Sequence, residues 1–248
     1  MYKNYLLVAL LLLSGCQNTQ LQLFENKERI LAKTNNYQQL VPLYKQQLSS
    51  KENDEIRLKL ADSYLKSGDP ESALFTIQPL TDTVKSKSQG HEYVQVLVLQ
   101  AYAQYELGVL DAALNSALAA NNIQANDPEV ENLLGIIYVS QHDYIEARHF
   151  FNLARRHFYD DIKIKNNLAV LDIIEGKYEQ SIKRLLLLQK NGIADEQVTA
   201  NLLLAMAKLN NFSYVKSVLT PKYSDAEILD MYQVLRDLKP TMQQMSDG

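Results

Sequence analysis

The chain has 248 residues, a formal net charge of −4 and 22% charged residues. With an isoelectric point near 5.6 and no basic run longer than a residue or two, it argues against a nucleic-acid partner. An apolar fraction of 46% excludes a disordered chain. Glycine (8) and proline (6) are scarce, and Leu, Ala, Gln, Lys and Glu outweigh Val and Thr, so the composition is that of helices.

The N-terminus comes first. Lys3 gives a positive start, and Tyr5 to Leu13 is an apolar run shorter than the roughly 20 residues a bilayer crossing needs. The small residues Ser14 and Gly15 then precede Cys16, the one cysteine of the chain. Leu13-Ser14-Gly15-Cys16 resembles the lipobox of bacterial lipoproteins. That resemblance implies a signal peptide over 1–15, a diacylglycerol on the Cys16 thiol, an acylated new N-terminus and a lipidated tether over 16–22. Several acyl chains on one residue anchor far more firmly than one. Gln17 stands where an Asp would hold such a protein at the inner membrane, which implies the outer membrane, facing the periplasm. A lone cysteine forms no internal disulfide.

The predicted elements beyond it are helical pairs. ILAKTNNYQQLVPLY reads as two helices around a turn at Asn35-Asn36, with Tyr37 seating the second. LADSYLKSGDPESAL repeats the layout with Ala61, Tyr64, Gly68 and Ala73. The polar KSKSQGHE, Lys85 to Glu92, is predicted as an insertion, because Gly68 and Gly108 are 40 apart. From there a period of 34 holds: Gly108, His142, Gly176 and Asn210 mark turns, followed by Leu110, Tyr144, Tyr178 and Phe212, then by Ala113, Ala147, Ser181 and Val215. Ala101, Gly135, Ala169 and Leu203 share a register in the preceding helices. Pro128 to Asp161 is the best copy, with Asp127 as N-cap and Pro128 at the first helical position. Leu202 to Leu219 makes a degenerate copy. Asp225 to Leu238 places Ile228, Leu229, Tyr232, Leu235 and Leu238 on one face of a final helix, and 241–248 is predicted as a disordered tail.

These markers resemble the tetratricopeptide repeat. The resemblance implies an all-α fold over 23–240, a right-handed α-solenoid of about six helical hairpins with a C-terminal capping helix. Its stability would come from nearest-neighbour stacking, and its curvature would give a concave groove. The chain departs from the family at the tryptophan site, where Leu97, Glu131, Lys165 and Thr199 stand.

Nothing in the pattern calls for catalysis, a metal, a cofactor or a small-molecule substrate. The histidines His91, His142, His149 and His157 show no metal-ligand spacing and read as solvated. Asp160-Asp161 reads as a helix cap. In tetratricopeptide folds the first helix of each hairpin lines the groove. Its outward positions here are taken as Tyr102, Tyr105, Asn132, Ile136, Val139, Asn166, Val170, Ile173, Asn201 and Leu204, with Asn167 beside them. The asparagines offer amide donors and acceptors to an extended peptide; alternatively they cap helices or brace one hairpin on the next. Lys165 and Lys208 are the candidates for holding a terminal carboxylate.

NNLAVLDIIEGKYEQSI, followed by ADEQVTANLLLAMA, together with the Leu-Ser-Gly-Cys start and the chain's size, resembles the tetratricopeptide lipoproteins of tight-adherence (Flp-type) pilus assembly, the TadD family, and more loosely the pilotins of type IV pili. What this implies is a lipid-anchored adaptor gripping a secretin or pilus assembly subunit. The alternatives are an adaptor lipoprotein recruiting peptidoglycan hydrolases and a scaffold subunit of outer-membrane β-barrel assembly.

Overall fold

In a computed structural model, residues 22–87 and 90–239 are described, without the side chains of 82–87. Cys16, the expected signal peptide and most of the tether, and the expected tail at 241–248 lie outside the described residues. Among those described, every regular element is an α-helix: α1 (22–33), α2 (Tyr37–Ser50), α3 (Asp54–Lys66), α4 (Pro70–Lys87), α5 (His91–Glu106), α6 (Leu110–Ile123), α7 (Pro128–Ser140), α8 (Tyr144–Arg156), α9 (Asp161–Ile174), α10 (Tyr178–Lys190), α11 (Glu196–Lys208), α12 (Phe212–Leu219) and α13 (Asp225–Asp237).

One turn chemistry ends α1, α3, α5, α7, α9 and α11. At Asn35, Gly68, Gly108, His142, Gly176 and Asn210 the backbone enters the left-handed region, with φ between 51° and 80°. Gly bears this at no steric cost and Asn at little. The amide of the next residue then reaches back to the helix, as in Asp69 N–H to Tyr64 C=O at 2.9 Å and Asp143 N–H to Tyr138 C=O at 2.9 Å. This is the Schellman arrangement, which satisfies carbonyls that would be orphaned at the helix end. The residue that closes the turn also starts the next helix. Asn36, Asp69, Asp143 and Asn211 each accept an amide from the third residue on, as N-caps do. Three residues separate the two helices at each of these turns.

The chain divides into two compact units, one running to Val109 and one starting at Leu110. In the first, α2 packs on α3, α3 on α4 and α4 on α5. Its core holds Leu40, Tyr44, Leu60, Ala61, Tyr64, Ala73 and Ile77, with Phe24 and Leu31 of α1 laid against it. Tyr44 donates to Glu28 at 2.9 Å. The expected insertion is not a separate loop: α4 continues to Lys87 and α5 starts at His91, so most of the extra length extends the helices.

In the second unit α6 packs on α7, α7 on α8, α8 on α9, α9 on α10 and α10 on α11, while α7 touches α9 and α9 touches α11. Gly135 of α7 faces the buried ring of Phe151 of α8. α12 has only 8 residues, so α13 reaches α11 directly. It seats Ile228 and Tyr232 in the core, with Tyr232 edge-on to Phe212 at 5.0 Å. Ser224 and Glu227 start α13 with a reciprocal capping box.

Candidate functional site: an amide column in the second unit

The asparagines singled out in the sequence converge in pairs. Asn167 Nδ2 donates to Asn132 Oδ1 at 2.9 Å, joining α9 to α7. Asn201 Nδ2 donates to Asn166 Oδ1 at 2.9 Å, joining α11 to α9. All four are buried. Two of their eight amide groups act as donors and two as acceptors, which leaves Asn132 Nδ2, Asn166 Nδ2, Asn167 Oδ1 and Asn201 Oδ1. These four groups belong to side chains that are only 2–7% exposed. The bracing arrangement weighed from the sequence is therefore present, and each brace leaves one amide donor and one acceptor outside the inter-helix bond.

The apolar neighbours correct the expectation. Ile136 is 9% exposed, Leu204 1%, and Val139, Val170 and Ile173 are fully buried, so they are core and do not line an open groove. The reason is geometric. α7, α9 and α11 each lie against helices on more than one side, and a helix flanked that way is apolar nearly all round. Tyr102 and Tyr105 are half-buried on α5, in the first unit. Lys165 pairs with Asp161 one turn away. Lys208 donates to the Arg236 carbonyl at 2.6 Å and to the Leu238 carbonyl, which closes the C-terminal end of α13. Neither lysine serves the column.

His157 is also corrected. It is bonded to Glu131 Oε2 at 2.7 Å, and that carboxylate is 2% exposed. The pair ties α7 to the C-terminal end of α8. Asp172, fully buried on α9, accepts from Arg148 at 2.8 Å and Arg184 at 2.8 Å, and Arg148 also holds Glu175. This ionic bracket ties α8, α9 and α10. Asp160 caps α9 through the amides of Ile162 and Lys163. The described residues contain no group of three or more His, Cys, Asp or Glu side chains suited to a metal, and no helix among them is long and apolar enough to cross a membrane.

No protein-family model matches the chain, and no curated protein matches it. Solved structures do. A tetratricopeptide repeat protein from Parabacteroides merdae is similar at a TM-score of 0.60 and 15% identity, over 86% of this chain and 87% of that one. PilF of Pseudomonas aeruginosa is similar at a TM-score of 0.56 and 16% identity, over 90% of this chain and 94% of that one. MamA is similar at a TM-score of 0.48 and 17% identity, over 64% of this chain and 88% of that one. The first two likenesses, with the repeated turn and hairpin geometry, establish a tetratricopeptide-type all-α fold.

Proposed function

We propose that the protein is a lipid-anchored periplasmic adaptor that grips a secretin or pilus assembly subunit and supports Flp-type or type IV-like pilus biogenesis. The observation that carries the gripping role is the amide column. Two asparagine pairs tie α7 to α9 and α9 to α11 in a fixed register, and their second donors and acceptors are of the kind an extended backbone requires. The anchor rests on Leu13-Ser14-Gly15-Cys16. The pilus assignment rests on the resemblance of NNLAVLDIIEGKYEQSI and ADEQVTANLLLAMA, and the likeness in fold to PilF accords with it. The adaptor works by holding and not by reacting.

Deleting the gene tests this reading. Loss of surface pili with normal cell shape and normal porin levels supports it. Altered cell shape moves the role to hydrolase recruitment, and depleted porins move it to barrel assembly. Cys16→Ser in the same cells should release the protein from the outer-membrane fraction; retention there overturns the anchor.

A further inference from the structure

The first unit carries a surface for which the amide column does not account. Phe75 of α4 is 78% exposed and stands between two clefts. One, of about 640 Å³, lies among α2, α3 and α4 and is lined by Lys45, Arg57, Tyr64, Phe75, Gln78 and Pro79 among others. The second, of about 410 Å³, lies between α4 and α5 and again includes Phe75 and Gln78, with Gln100. Among the described side chains no carboxylate lines either cleft. The Lys45 ammonium sits 5.3 Å over the Tyr64 ring. It lies within the field of Asp69, though the two do not form an ion pair. Arg57, whose side chain is 19% exposed, holds Glu52, whose side chain is 74% exposed, and donates to the Thr76 carbonyl at 3.4 Å, so an incoming carboxylate would compete with the exposed Glu52.

We propose that this face binds an extended acidic segment of a protein partner. A carboxylate of the segment enters the cleft of Lys45 and Arg57, an apolar side chain packs on Phe75, and the backbone crosses α4 toward the amides of Gln78 and Gln100. Charge selects the sign, since the ionic groups among the described side chains of the clefts, Lys45 and Arg57, are both cations. Length selects a peptide, since two clefts sharing one ridge exceed a compact ligand. An exposed aromatic beside a cation is the composition of an interface anchor. This surface lies outside the amide column and does not depend on the pilus assignment.

The test uses the full chain and two labelled peptides, one alternating Glu and Leu around a central Phe, the other its twin with Lys for every Glu. Fluorescence anisotropy should show the acidic peptide binding at least about tenfold more tightly, with affinity falling as salt rises. Phe75→Ala and Lys45→Glu should each weaken it by about tenfold and leave the melting temperature unchanged. Equal binding of the twins, no saturable binding, or indifference to both substitutions overturns the proposal. Loss of binding with Asn132→Ala alone also overturns it, by placing the peptide on the amide column. Sedimentation that shows a dimer broken by Phe75→Ala, without acidic-peptide binding, overturns it in favour of a second copy of the chain. Piliation is read in a different experiment, so the two proposals fail separately.

Discussion

A Cβ built on Gly135 would lie 2.5 Å from two ring carbons of Phe151, which is itself fully buried. Alanine is the better helix former by about 1 kcal/mol, yet here it meets an aromatic ring with nowhere to go. Overpacking of this kind costs about 1–3 kcal/mol, so Gly135→Ala should lower the thermal midpoint by circular dichroism, and Phe151→Leu added to it should restore part of the loss. Ser181 presents the opposite case. Its Oγ is buried without a partner, at a position where the equivalent residues are the fully buried Ala113 and Ala147. Ser181→Ala should therefore stabilise, by about 0.5–1 kcal/mol, measured as the urea midpoint. For Tyr159, burial, then the nearby Glu129 and Asp160 carboxylates, push the phenol from 10.0 up to about 12. The folded state thus keeps a proton that the unfolded chain releases first. The stability so gained is whole below pH 10 and is lost as pH rises from 10 through about 12. Tyr159→Phe should show a flatter alkaline limb than the natural chain in urea titrations, and equal limbs would exclude this residue as the source.

Among the elements, α9 is tied to both its sequence neighbours by buried ionic contacts. Asp172 sits fully buried between Arg148 of α8 and Arg184 of α10. Removing one partner of such a bracket leaves charges without compensation, at a cost of about 3–5 kcal/mol. Asp172→Ala should cost that much, with Asp172→Asn losing less because the amide oxygen still accepts; a loss under about 1 kcal/mol would mean that water replaces the carboxylate without penalty. The contrast between turns and faces shows how far the sequence was legible. The turns were, because a left-handed residue followed by an N-cap restricts both positions to a few residue types. The exposure of Ile136, Val170 and Leu204 was not, because an all-round apolar helix has no periodicity to tell groove from core. Asp172 in LAVLDII did carry a signal, a carboxylate in an apolar run. Its partners lie 24 and 12 residues away, where no local pattern points. The asparagine pairs were half legible: the spacing of 34 aligned Asn132 with Asn166 and Asn167 with Asn201, while the bonds join residues 35 apart. That extra residue is the step from one helix face to the next.

At the scale of the whole molecule, each hairpin buries its apolar face only against a neighbour, so stability approximates a sum of intrinsic and interface terms. The consequence is sharpest where a stack ends. α13 supplies Ile228 and Tyr232 to the core of the second unit, where Tyr232 joins Leu202, Met206 and Val215 and Leu235 packs on them. It contributes no hairpin of its own, and its outer side carries Leu229 at 45% and Val234 at 63% exposure. Truncation after Thr220 would uncover α11 and α12 together. Burying a side chain such as Ile or Tyr contributes about 1.5–3 kcal/mol, so the loss should reach several kcal/mol, a large part of what a domain has to spare. Because coupling passes only between neighbours, the loss should be graded within the second unit. Amide exchange should accelerate most in α11 and α12, less in α9 and α10, and least in α7 and α8. Uniform acceleration across these helices would instead show that the unit unfolds as one cooperative block, and the nearest-neighbour account would fail.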